Sequence, residues 1–126
     1  MSKLFLLLFL IVCYSCNTIF ITCDFLSDLC GTTAQAHFGF IIIYHSKLKR
    51  LKSNIIMHER IHLAQQRELG IIGFYIAYSL NYLINLIKYK DRQLAYKNIV
   101  FEKEAWFNEN NHNYLNVRKP YNYWIK

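Results

Sequence analysis

Residues 55–70 read IIMHERIHLAQQRELG and place two histidines and a glutamate within five positions: His58, Glu59 and His62. Four residues apart on a helix, His58 and His62 project from one face, about 6 Å apart along the axis. Both imidazoles can then reach one ion at the ~2.0–2.1 Å of a zinc–nitrogen bond. Glu59 projects beside that ion, where its carboxylate can take a proton from a bound water. This is the HExxH arrangement. With five His and five Glu among 126 residues, chance would produce it with a probability of about one per cent. The plain alternative is a buried histidine pair that holds no metal.

A catalytic zinc usually takes three protein ligands and keeps a fourth position for water. The remaining candidates are His37, His45, Glu68, Asp91, Glu102, Glu104, Glu109 and His112. At about 100° per residue, Glu102 falls within the arc of Leu94, Ala95, Ile99, Phe101, Ala105 and Trp106. A carboxylate inside an apolar stripe is costly to bury unless a positive group compensates it. A metal ion would do so, and so would a buried lysine or arginine. Glu102 is therefore the expected third ligand. Glu104 turns with Gln93, Lys97 and Asn108 towards a face that reads as solvated, and is the reserve. Glu109 shares the stripe of Glu102 two turns further on. His112, Tyr114 and Arg118 are candidates to stabilise an oxyanion or support the ligands, with no spacing to choose among them. Gln65 and Gln66 suit hydrogen bonding around the site or helix packing.

The elements that must hold these residues can be read in turn. AQAHFGFIIIY, residues 34–44, is β-branched and aromatic, as expected of a short strand or hairpin. Ser53 is a suitable N-cap for a helix over about 54–69, which Gly70 stops. Residues 71–87 are uncharged and end at Lys88 and Lys90. They suit either a second membrane span or a helix over 71–88 packed on the first, with Asn81 and Asn85 on one face. Asp91 caps a third helix over about 91–111. The fold class expected is mainly α with minor β: an N-terminal membrane helix, the strand or hairpin, then about three helices in a domain over residues 34–126.

The segment 1–30 stands apart. Leu4 to Cys23 carries no charge and would span about 30 Å as a helix, enough to cross a bilayer. It reads as a signal-anchor, or as a lipoprotein signal with VCYSC as a degenerate lipobox around Cys16. All four cysteines, Cys13, Cys16, Cys23 and Cys30, lie here and read as small apolar residues of that segment rather than a redox pair. Membrane association follows, its side undetermined because Lys3 and the KLKRLK run at 47–52 give opposing cues. The net charge of +7 suits anionic lipid. No nucleic-acid-binding signature accompanies it.

HERIH followed by FEKEAW about forty residues later resembles the gluzincin metallopeptidases. In that family the third ligand is a glutamate on a later helix, in E-x-x-A-D or E-x-x-A-N patterns. Glu102 and Ala105 match the Glu and Ala, while Trp106 stands where the family has Asp or Asn. Over about residues 36–120 the chain is similar to small bacterial membrane-associated HExxH proteins. The resemblance implies a minimal zincin-like core with Zn2+ held by His58, His62 and Glu102. It also implies Glu59 as general base and hydrolysis of a peptide or protein substrate. The contrasting expectation is a non-catalytic membrane-associated protein whose zinc is structural or regulatory.

Overall fold

The computed structural model describes residues 9–13, 18–22, 34–37, 40–43 and 52–121. The protein is mainly helical. Four strands, β1 (Phe9–Cys13), β2 (Thr18–Thr22), β3 (Ala34–His37) and β4 (Phe40–Ile43), precede four helices. These are α1 (Ser53–Tyr89), α2 (Arg92–Lys97), α3 (Val100–Asn108) and α4 (Tyr114–Val117). The sheet order is β1-β2-β4-β3, with β2 and β4 parallel and the other pairs antiparallel.

Three expectations change. Among the described residues, the N-terminal run is not a membrane helix: FLIVC and TIFIT are strands, paired Phe9↔Thr22 through Cys13↔Thr18. Their β-branched and aromatic content suits a ladder as well as an apolar helix. The choice between anchor and lipoprotein signal turns largely on positions 1–8, 14–17 and 23–30, which lie outside the described residues. Second, residues 34–43 form a hairpin, with Ala34↔Ile43 and His37↔Phe40 in register and two residues between the strands.

Third, the single helix expected over 91–111 is two. Ile99 is extended (φ −62°, ψ 127°) and the break is filled from outside. Asn81 Oδ1 of α1 accepts the Val100 N–H at 2.9 Å, which caps α3, and Asn85 Nδ2 donates to the Ala95 carbonyl at 3.2 Å. The two asparagines of the uncharged run thus bind α2 and α3 to α1 by satisfying backbone groups that the break would orphan. Asp91 caps α2 as expected, accepting from Leu94 N–H at 2.8 Å. Ser53 is instead the first residue of α1, and Lys52 occupies the N-cap.

α1 is the organising element. Gly70 (φ 71°, ψ 159°) breaks it into two halves, in a backbone region that only glycine adopts without strain. The first half is covered on two sides. Leu63, with Ile55 beside it, packs on Ala34 and Ile41 of the hairpin, while Met57 and Ile61 pack on Ala105 of α3 and Tyr114 of α4. The second half packs Phe74 on Ile99 and Phe101. His58 and His62 emerge in the seam between the sheet side and the α3 side.

Candidate metal centre

The two histidines point along one line because they are four apart on α1, and α3 crosses opposite them with Glu102 facing in. His58 Nε2 lies 3.1 Å from His62 Nε2 and 3.3 Å from Glu102 Oε2. His62 Nε2 lies 3.5 Å from Glu102 Oε1. All three residues are shielded: His62 is 7% and Glu102 4% exposed, and the His58 side chain 12%.

The hydrogen bonds behind the rings fix which nitrogen carries the proton. His58 Nδ1 sits 3.0 Å from Glu109 Oε2, and a carboxylate only accepts, so this Nδ1 is the N–H. His62 Nδ1 sits 2.8 Å from Gln65 Oε1. The Gln65 amide cannot be turned the other way, because its Nε2 donates to the Phe101 carbonyl at 3.1 Å and to Glu104 Oε2 at 2.8 Å, both pure acceptors. His62 Nδ1 is therefore also an N–H. In the neutral rings both Nε2 atoms then carry lone pairs, and they face each other and a carboxylate.

Three electron-pair donors so placed repel one another unless a cation lies between them. Glu102 Oε2 is accordingly the one buried side-chain nitrogen or oxygen among the described residues without a hydrogen-bond partner. The spacing also fits a metal. Tetrahedral bonds of ~2.0–2.1 Å imply ligand atoms roughly 3.3 Å apart, against 3.1, 3.3 and 3.5 Å here. Two imidazoles and one carboxylate are a donor set that zinc takes with a position left open. This group could hold a metal.

The titration behaviour follows the same contacts. Burial alone would raise the Glu102 carboxyl, but the His58 and His62 rings and the Tyr78 hydroxyl, donating to Oε1 at 2.7 Å, hold it well below the usual carboxylate range. Burial lowers His62, and the Glu102 carboxylate beside it outweighs this and raises it. Glu59, 8% exposed, is raised chiefly by burial, against the pull of the two histidines and a hydrogen bond from the Ala36 backbone.

Glu59 faces the sheet side of α1, while Gln66 Nε2 donates to the Ala36 carbonyl at 3.1 Å. The outer edge of β3 is thereby fastened to the histidine helix. Above the seam lies a cavity of about 470 Å³, lined by Ala34, Gln35 and Ala36 of β3, by His58, Glu59, His62 and Glu102, and by Phe74, Tyr75, Tyr78 and Tyr96.

Several expected roles fall elsewhere. Glu104 is not solvated and does not reach the group; it is fully buried. Its Oε1 accepts from Tyr114 O–H at 2.8 Å and from Arg118 Nε, and its Oε2 from Gln65 and from Arg118 Nη2 at 3.1 Å. Arg118 also binds Glu68. Tyr114 and Arg118 are thus committed to Glu104, and His112 is exposed. None of these three lines the cavity, so none is placed to stabilise an oxyanion there.

Three contributors carry no motif. Tyr78 and Tyr96 lie far from the histidines in sequence. Glu109, by contrast, was detectable, because a stripe holding Glu102 and Glu109 on a helix antiparallel to α1 must meet His62 and His58 in that order. Trp106, where the resembling family has an acid or amide, instead packs its ring at a tilt of 46° beside His58, with centroids 6.3 Å apart. No protein-family model, curated protein or solved structure matches this chain.

Proposed function

We propose that the chain is a membrane-associated, zinc-dependent hydrolase of gluzincin type that cleaves peptide bonds. One observation carries the reading. The Nε2 lone pairs of His58 and His62 and the bare Oε2 of Glu102 converge at zinc spacing beside Glu59, at the base of a cavity. A zinc ion held there supplies a water acidified towards pKa ~7 and an electrophile for a carbonyl oxygen.

The chain's own groups do the rest. Glu59, made more basic by its burial, accepts the proton of the attacking water and later returns it to the leaving amine. Tyr96 lines the same cavity. Its phenol is raised above the ordinary tyrosine value, chiefly by burial and then by Glu102, so it stays protonated and can donate to a developing oxyanion. Strand β3 ends the sheet and forms one wall of the cavity.

The second half of α1 supports membrane association. α1 is long and apolar enough to cross a membrane, and only 11% of its most apolar window is buried. Ile72, Ile76, Leu80, Ile84 and Ile87 form one exposed stripe. The opposite face carries α2, with exposed Arg92, Gln93 and Lys97. A helix so loaded lies in the bilayer interface with its apolar stripe immersed rather than crossing it alone.

The test is metal content of chelator-washed, zinc-reconstituted protein, paired with a peptide-library digest. Stoichiometric zinc lost in His62→Ala and Glu102→Ala supports the site. Glu59→Gln should keep the zinc and lose about 10²–10⁴-fold in cleavage rate. Equal cleavage by wild type and Glu59→Gln refutes catalysis and leaves a structural zinc.

A further inference from the structure

The buried pair Glu104–Arg118 lies outside the metal group, yet it is connected to it by an unbroken line of hydrogen bonds. Glu104 receives four donors, two of them from Arg118, so its position is fixed. Gln65 spends both amide N–H bonds on that side, one on Glu104 and one on the Phe101 carbonyl. Its single oxygen is thereby aimed at His62 Nδ1, 2.8 Å away. Arg118 in turn is held by Glu68 of α1, and Tyr121 O–H closes the loop by donating to the Glu68 carbonyl at 2.8 Å.

We propose that Glu104 and Arg118 are positioning residues for the metal: acting through Gln65, they lock His62 as the Nδ1–H tautomer with its Nε2 lone pair turned into the group. This rests on the zinc reading for its purpose but not for its geometry. The logic is one of donors and acceptors. A free glutamine can present either its oxygen or its amide nitrogen to an imidazole, and in the second case His62 Nδ1 would have to accept and Nε2 would carry the proton. A protonated Nε2 cannot bind a metal. Glu104 removes that choice, and Arg118, donating to both of its oxygens, holds that carboxylate in place. The C-terminal segment thus acts on the site although it lines none of it. Glu109 serves His58 in the same way with one carboxylate; His62, further inside, is served at one remove.

The experiment uses the full chain, stripped with chelator and labelled with 15N-histidine. Ring 15N shifts at alkaline pH, where the imidazoles are neutral, report the tautomer of His62 directly. Zinc affinity is measured in parallel by competition with a chromophoric chelator. Wild type should show His62 as Nδ1–H alone. Arg118→Met should give a mixture of tautomers and weaken zinc binding by about 10–100-fold, the range for losing a partner behind a metal-bound histidine. Arg118→Lys should restore most of both. Because Arg118→Met strands a buried carboxylate, Glu104→Met with Arg118→Met is made as well. That pair removes both charges, keeps the volume, and should show the same loss of tautomer. A His62 that remains wholly Nδ1–H with unchanged zinc affinity in these variants overturns the proposal. If wild type binds no zinc but its His62 tautomer depends on Arg118, the positioning stands and the zinc reading fails. If zinc binds but the tautomer does not respond, the reverse holds.

Discussion

The metal-free protein should lose stability as pH rises through the neutral range, and adding zinc should reverse that slope. His62 is raised above its ordinary value of 6.5 because the Glu102 carboxylate beside it outweighs burial. A group whose pKa is higher folded than unfolded contributes stability that is complete below the unfolded value and is lost as pH climbs to the folded one. The window therefore opens at 6.5 and closes at the raised His62 value. Within it each pH unit is worth about 1.4 kcal/mol, or roughly 4–8 °C of Tm for a chain of this size. Glu59, raised mainly by burial, adds a loss of the same sign from its ordinary 4.5 upward. Glu102, held low, contributes in the opposite sense, with stability lost only as pH falls below the carboxylate range. Zinc competes with the His62 proton, so its affinity gains tenfold per pH unit until His62 is deprotonated, and the loaded protein should melt higher at pH 8 than at pH 6. Thermal melts of chelator-stripped and zinc-saturated protein across pH 5.5–9 measure both slopes. Glu102→Gln is the decisive control. With the carboxylate gone, burial is opposed only by Glu59 and the Gln65 hydrogen bond, so His62 falls and its contribution to the metal-free slope shrinks. If metal-free wild type and Glu102→Gln show the same dependence on pH, Glu102 does not govern His62 and the account of the site is wrong.

Two further outcomes follow from individual contacts. Glu109→Ala removes the acceptor 3.0 Å from His58 Nδ1 and should weaken zinc binding by about 10–100-fold in the same competition assay, with the helical circular dichroism signal unchanged. Ile76→Asp with Leu80→Asp places two charges in the exposed stripe of α1, at positions 56% and 55% exposed. This variant should stop flotation with phosphatidylglycerol vesicles and leave zinc affinity as in wild type; flotation equal to wild type would remove the stripe as the lipid-facing surface.

What could be read from the chain alone divides along physical lines. The histidine helix was legible because its information is local: HExxH, the helical period and Gly70 all fall within residues 54–70. Glu102 was legible because a carboxylate among Phe101, Ala105 and Trp106 has to be explained by a counter-charge. The same period misplaced Glu104. Counting 100° per residue from Gln93 and Lys97 assumes a continuous helix, and the break at Ile99 resets the phase between α2 and α3. α3 is also buried on more than one side, Glu102 and Glu104 both being covered, and its exposed side holds Phe107 instead. Arg118 and Gln65 reach Glu104 from 14 and 39 positions away, and no local spacing encodes a pair of that kind. The N-terminal strands were missed for a different reason. An uncharged β-branched run satisfies the criteria for a bilayer helix and for a buried ladder alike, and only pairing partners decide.

Glu102 and Glu104 stand two residues apart on one short helix, both excluded from water, and their surroundings assign them opposite tasks. Glu104 has every lone-pair direction met by a donor, including a guanidinium that neutralises its charge on the spot. Nothing is left for it to bind. Glu102 accepts the Tyr78 O–H on Oε1, its Oε2 has no hydrogen-bond partner among the described residues, and both oxygens face the imidazole nitrogens. A buried anion so placed calls for positive charge beside it, which a protonated His62 supplies in the metal-free protein and a metal ion would supply in its place. Two residues along a helix turn the side chain by about 200°. That rotation sends one carboxylate to the seam and the other to the C-terminal segment. The chain thus uses one turn of α3 both to complete the metal group and, through Gln65, to hold its inner histidine in the form that can bind.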